Sequence, residues 1–331
     1  MSRPDYYHST AAFDDIAVTA LGTARQMEFS GITPWPEMSA IAQELWLTAG
    51  HAGQPALDNP QVNAPGIEVR YRLASRLIEN EVDMARQADP NVGGQVLEVA
   101  SGISPRGLLM TQTDPTLTYV ELDLPIMTQL KRMIIDKLTE SGTVGAASEK
   151  HHIVSGSALG RLAMEEASGY LNPDEPVTVT SEGLLHYLNH DEKFILASRI
   201  GTLLRRFGGI WYTDMPHWEG ISKINRMMAR TTTKQTGRNI PDNRFDNLED
   251  IRYFFSDPAL GLEVKGLFSY VEPTLVDSLT SPRHPDIMVP RDEVERANRP
   301  WFKYAIGLKG ERWELNTAYP PTLLLVPQEG R

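Results

Sequence analysis

Val96-Leu-Glu-Val-Ala-Ser-Gly-Ile-Ser-Pro-Arg106 decides the fold of this chain, together with Tyr119-Val-Glu-Leu-Asp-Leu-Pro125. One apolar run breaks at Ala100-Ser101-Gly102, and a second ends in an acid 21 residues after that glycine. Strand, glycine turn, helix, strand, acid is the order in which a doubly wound α/β domain meets a nucleoside-bearing ligand. The glycine admits close backbone approach, and an acid at the end of the second strand accepts hydrogen bonds from ribose hydroxyls. Ser104-Pro105 has the form of an N-cap followed by proline at the first helical position.

Outward from this stretch, residues 12–50 read as helical, with Ile16, Ala20, Ala24 and Met27 on one stripe and a break at Gly31-Ile-Thr-Pro-Trp-Pro36. Residues 53–65 contain three prolines and read as loop, and 68–86 return to helix. Downstream, strands are expected over 117–122, 153–154, 177–180 and 210–214. Asn189-His-Asp-Glu192 forms a capping box for a helix ending at Gly208-Gly209. Residues 262–270 and 312–318 are candidates for the sixth and seventh strands. Pro320-Pro-Thr-Leu-Leu-Leu-Val-Pro327 is too rich in proline for a central strand and reads as an edge segment. Residues 216–250 are polar and follow the fifth strand, where a chain crosses the open end of such a site; they read as a lid. The expected fold is therefore α/β: a doubly wound, Rossmann-like, mostly parallel sheet of about seven strands. An N-terminal helical cap (1–90) precedes the core (91–331), which carries the lid insertion.

Composition bounds the function. The 331 residues are 41% hydrophobic and 23% charged, enough for a sizeable core. A net charge of −11 argues against a nucleic-acid partner. The absence of cysteine removes disulfides and thiolate metal sites. Without an apolar leader or an 18-residue apolar segment, the chain reads as a cytoplasmic protein with no membrane partner. No His/Asp/Glu set has metal-ligand spacing, so no metal is expected, and His151-His152 reads as surface. A Gly-x-Ser-x-Gly hydrolase elbow is also missing.

The glycine turn discriminates between cofactors. A dinucleotide fingerprint needs Gly-x-Gly-x-x-Gly, but here the first and third positions are Ala100 and Pro105. Pro105 also removes an N–H from the helix end that would face a pyrophosphate. S-adenosylmethionine carries a nucleoside and an amino acid but no phosphate, and suits such a turn better.

With Ser181-Glu-Gly-Leu-Leu-His-Tyr-Leu188 as a third landmark, the chain resembles the leucine carboxyl methyltransferase-like family over most of residues 12–320. This is a branch of the class I S-adenosylmethionine-dependent methyltransferases that includes bacterial enzymes O-methylating polyketides and related metabolites. The resemblance implies an enzyme of specialised metabolism that methylates a carboxylate or hydroxyl of a small molecule. It implies that Arg70 pairs with the methionine carboxylate, a role for which the guanidinium fork is suited. Ala100 and Gly102 would lie against the methionine moiety, and Asp123 would bind the ribose, with Glu121 as second choice. Glu182 would hold the ammonium or line the transfer site, and Ser157-Ala158 stand where the family meets adenine. Glu98, an acid inside an apolar strand, is a further candidate for cofactor contact, because burying a charge is costly. His186, Tyr187 and His217 are the candidates for catalysis, the histidines as a base if the acceptor is a hydroxyl. Two other readings stand beside this one: a catalytically silent methyltransferase fold serving as a binding partner, and a nicotinamide-dependent oxidoreductase, which the failed glycine pattern disfavours. Neither the oligomeric state nor the acceptor is legible at this level.

Overall fold

Gln95–Val99 (β1) is buried at every position, as a strand covered on both faces must be. The structure is a computed structural model describing residues 14–29, 31–33, 35, 38–48, 60–214, 223–268, 308–309, 312–313 and 322–327. Parallel strands flank β1: Thr118–Asp123 (β2) and His151–Ser155 (β3) on one side, Val177–Ser181 (β4) and Gly209–Asp214 (β5) on the other. Leu262–Phe268 (β6) and the final strand, Thr322–Pro327, extend the sheet beyond β5. Leu308–Lys309 (β7) and Arg312–Trp313 (β8) form a separate antiparallel ribbon, which makes Thr322–Pro327 β9 and the sheet order β3-β2-β1-β4-β5-β9-β6.

The helices cover both faces. Glu98 and its register partner Glu121 face the side covered by Asp14–Phe29 (α1), Met38–Thr48 (α2), Pro60–Ala88 (α3), Arg106–Thr113 (α4) and Pro125–Glu140 (α5). Leu97 and Val99 point the other way, into a core shared with Arg161–Ser168 (α6), His190–Phe207 (α7) and Leu248–Phe255 (α9). Lys223–Thr236 (α8) lies between β5 and α9 in the chain and packs on α1. Among the described residues no helix is long and apolar enough to cross a membrane.

Three expectations need correction. Helix α3 begins at Pro60, inside the region read as loop, because proline is tolerated in a first helical turn where its missing N–H has no intrahelical partner. The C-terminal segment is not an edge: β9 lies between β5 and β6, antiparallel to both. Its prolines stand before the strand and at its last position, so Thr322–Val326 keep their N–H groups. The seventh strand expected over 312–318 is represented in the described residues only by Arg312–Trp313, which pairs outside the main sheet.

Local signals were followed elsewhere. The Asn189 side chain accepts from the Glu192 N–H, and the Glu192 carboxylate accepts from the Asn189 N–H, both at 2.9 Å. This reciprocal cap fixes where α7 starts, directly after the 182–188 turn. Asn189→Ala is expected to lower the unfolding free energy by about 1 kcal/mol, read from urea denaturation; an unchanged midpoint would show that the cap contributes nothing.

Candidate cofactor site

A cavity of about 280 Å³ opens at the carboxyl ends of β1 and β4. The connections from β1 run outward through β2 and β3, then cross to β4, so this is the point where strand order reverses. Open α/β sheets bind ligands at that crevice. Helices α1 and α3 wall it through Ile16, Thr19, Ala20, Ile67, Arg70 and Tyr71.

The turn after β1 forms the floor. Ala100 (φ 58) and Gly102 (φ 54) both occupy the left-handed region. A Cβ on Gly102 would meet only Ala20 Cβ, at an ordinary 3.7 Å, so within the chain the glycine serves conformation rather than space. The Ala100 N–H donates to Leu122 O at 2.8 Å, tying the turn to β2. Asp123 Oδ2 accepts the Gly102 N–H at 2.6 Å, and Oδ1 accepts the Leu124 N–H at 2.7 Å. Burial pushes the Asp123 carboxyl up to about 6, against the opposing pull of those two N–H groups. Pro105, not Ser104, holds the N-cap position of α4, its carbonyl accepting the Leu109 N–H at 3.0 Å. Ser104, one residue earlier than expected of a cap, accepts the Arg106 N–H through Oγ at 3.3 Å.

Charge is concentrated at one end. The Arg106 guanidinium, 1% exposed, lies 2.5 Å from Glu98 Oε1 and 2.5 Å from Glu182 Oε1. It also donates to Ser75 Oγ and Tyr71 O and covers the Tyr71 ring at 4.4 Å. Glu98 Oε2 accepts the Tyr119 hydroxyl at 2.8 Å. Burial pushes the Glu98 carboxyl up to about 7 despite Arg106. Arg70 reaches Glu182 at 3.4 Å and Asp214 at 3.7 Å. Asp214, at the end of β5, is 1% exposed.

An adjoining cavity of about 70 Å³ continues from Ala100, Asp123 and Leu124 to Ser157, Ala158, Leu159 and Leu188. The Ser157 Oγ accepts the Leu159 N–H at 3.2 Å. His186 and Tyr187 both wall the larger cavity. Tyr187 donates its hydroxyl to Thr19 Oγ1 at 3.1 Å, joining the turn after β4 to α1.

The structure thus gathers Arg70, Glu98, Ala100, Gly102, Asp123, Glu182, His186 and Tyr187 around one cleft, with Ser157 and Ala158 at its apolar extension. Glu121 is not among them. It is fully buried, and its oxygens are taken by Lys131 and by His151 Nε2. Those two partners hold its carboxyl down at about 2, although burial acts in the opposite direction. His151, read as surface, is 1% exposed at the side chain because β3 pairs beside β2 and places it against Glu121. His217 lies outside the described residues, as does part of the region read as lid. Sequence reasoning missed Asp214 and the depth of Arg106. Asp214 ends β5 as Asp123 ends β2, so the same acid-after-strand signal marks it.

No family model matches the chain, and no curated protein matches it. Solved structures do. A DUF574 family protein from Streptomyces avermitilis is 13% identical, with a TM-score of 0.50 over 87% of this chain and 97% of that one. Magnesium protoporphyrin IX methyltransferase from Synechocystis, with bound SAH, is 10% identical, with a TM-score of 0.45 over 88% and 97%. LepI in complex with SAM is 9% identical, with a TM-score of 0.41 over 76% of this chain and 46% of LepI, so the chain spans less than half of LepI's length. The fold is a Rossmann-like α/β sheet. At 13% identity the first of these likenesses speaks to that fold and no further.

Two stability effects follow from the turn and the ion cluster. Ala100→Gly relieves a left-handed L-residue and is expected to raise the unfolding free energy by up to about 1 kcal/mol; a loss of stability on thermal denaturation would contradict this. Arg106→Met leaves two buried carboxylates without their shared partner and is expected to cost about 3–5 kcal/mol, measured as a shift of the urea midpoint.

Proposed function

We propose that this chain is an S-adenosylmethionine-dependent O-methyltransferase that acts on a small molecule through a carboxylate or hydroxyl oxygen. The observation that carries this reading is the division of the cleft. An acid at the end of β2, held by the Gly102 N–H, stands between a cluster of charges and an apolar slot. That arrangement fits a ligand with a carboxylate and ammonium at one end, a ribose in the middle and an apolar base at the other.

The chain's groups match those needs in kind. Arg70 suits a carboxylate, and Glu182 beside it in the cavity wall suits an ammonium. Asp123 suits the ribose hydroxyls, Ala100 and Gly102 the methionine chain, and Ser157, Ala158 and Leu159 the adenine. Glu98, committed to Arg106 and Tyr119, shapes the charged end from behind. Pro105 leaves α4 without one of the N–H groups a pyrophosphate would use, which disfavours a nicotinamide cofactor. When bound, S-adenosylmethionine supplies an activated methyl group on its sulfonium. The protein then has to align the acceptor and exclude water. Residues 1–90 would act as a cap and 216–250 as a lid for that purpose, around a cytoplasmic core domain. A bacterial specialised metabolite is the acceptor class that the family resemblance favours.

Calorimetric titration tests the reading. S-adenosylmethionine and S-adenosylhomocysteine are expected to bind the folded protein, NAD is not, and Asp123→Ala should weaken binding at least about tenfold, about 1.4 kcal/mol. Binding should also weaken as pH falls through about 6, because the Asp123 carboxyl titrates there and loses acceptor capacity when protonated. Folded protein that binds neither sulfur nucleoside would leave the silent-fold reading standing, and NAD binding would favour the oxidoreductase.

A further inference from the structure

A second cavity, of about 630 Å³, lies between the start of α7 and helix α9. Among the described residues none lines both it and the cofactor cleft. Its volume falls in the range of small-molecule sites. Four rings build its wall in an unbroken chain of edge contacts. His190 meets Phe245 at 4.8 Å between centroids, Phe245 meets Phe254 at 5.3 Å, and Phe254 meets Phe194 at 6.3 Å. The interplanar angles are 82°, 62° and 90°, and rings crossed in this way fix one another's tilt. Phe245 already holds a cation, the Lys193 ammonium 5.7 Å from its centroid. Tyr253 lines the same cavity and remains 82% exposed, so its ring is open to a ligand.

Charge decides what those rings can hold. Asp246, Asp250 and Asp257 line the cavity, and among the described residues none of the three forms a salt bridge. One guanidinium stands against them, that of Arg244, whose counter-charge is Asp214 at the end of β5. Burial first, then Lys193, holds His190 below the usual histidine range, so its ring adds no positive charge at neutral pH. The acids do not gather around a metal position: among the described residues no three acids or histidines do so. A bulky organic cation is a different case. Its charge is spread and its hydration weak, so aromatic faces with carboxylates at a distance hold it without direct coordination. A primary ammonium, in contrast, brings three N–H donors that each need an acceptor. We propose that this cavity is a second ligand site, built for a small quaternary ammonium. The inference stands apart from the methyl-transfer reading and needs neither the cofactor nor a reaction.

The two walls are joined before any ligand arrives. Arg244, Phe245 and Asp246 belong to the segment between α8 and α9, and that segment is bonded to α7 at several points. Arg238 reaches both Glu192 oxygens, at 3.0 and 3.2 Å. Lys193 donates to Leu188 O and Asn243 O, and Asn243 Nδ2 donates to the His186 carbonyl at 3.1 Å. These bonds hold Phe245 against His190 from one side while α9 presents Phe254 from the other. A site fixed in this way loses little freedom when it is filled.

Titration of the full chain with choline chloride, followed by proton NMR, tests this. N-methyl protons held over aromatic faces move upfield through ring currents, which charge attraction alone does not produce. Choline is expected to show that shift and a Kd of about 1 mM or tighter. Its neutral isostere, 3,3-dimethylbutan-1-ol, and the primary amine n-butylammonium should each bind about tenfold more weakly. Tyr253→Ser, which removes a ring standing mostly in water, should weaken choline about threefold. Asp246→Asn combined with Asp250→Asn should weaken it about fivefold, with folding checked by circular dichroism. Asp123→Ala, in the cofactor cleft, should leave choline affinity unchanged. No upfield shift, equal affinity for the neutral isostere, or affinity untouched by Tyr253→Ser overturns the site. Loss of binding in Asp123→Ala places the cation in the cofactor cleft and overturns it as well. Tighter binding of n-butylammonium than of choline overturns the quaternary assignment and points to a lysine side chain of a protein partner.

Discussion

The cleft depends on one buried guanidinium. Arg106 leaves the first turn of α4 and bridges Glu98 on β1 to Glu182 after β4, with further bonds to Tyr71 and Ser75 on α3. Removing an arginine and two carboxylates from water costs several kcal/mol per ion, which only good geometry and additional hydrogen bonds offset. Here the bonds exist, and their partners come from three separate elements besides α4. The arginine therefore holds the β1 turn, the helix wall and the post-β4 turn in one relative arrangement. Every group assigned to the cofactor sits on one of those pieces or beside them.

Around that anchor the acids and bases are shared rather than paired one to one. Glu182 lies between Arg106 and Arg70, and Asp214 between Arg70 and His186. In such a network a ligand charge does not act on a single residue. It redistributes the field over all of them, because the low local dielectric keeps these interactions strong. A second buried group, Glu121 with Lys131 and His151, closes the space under α4 and touches the cleft floor only through Lys131, which donates to Ser101 Oγ at 3.4 Å. A Cβ on Gly107 would collide with Glu121, His151 and Tyr119, which is why the helix carries glycine where it crosses them.

The order of strands and helices was legible from period and punctuation. The β1 turn, the Asn189 capping box and the acids after strands are local patterns, and local patterns survive into the structure. Errors arose where the deciding fact was a neighbour in space. The final segment looked like an edge because of its prolines, yet β5 and β6 leave a slot that an antiparallel strand fills. His151 looked like surface because no acid lies near it in sequence, while its partner Glu121 is 30 residues away. Glu121 and Asp123 were indistinguishable as acids two residues apart; packing gave one to the interior and the other to the cleft.

By itself, then, the sequence determined the class of fold, the place of the cleft in the chain and the side chains available to it, since hydrophobic period and turn chemistry act over a few residues. Tertiary structure decided which of those side chains meet. Whether Arg70 faces Asp214, whether His186 stands behind a carboxylate, and whether Glu121 sees solvent depend on contacts between residues far apart in the chain. Such contacts are set by how helices and strands pack, and no short-range pattern encodes them.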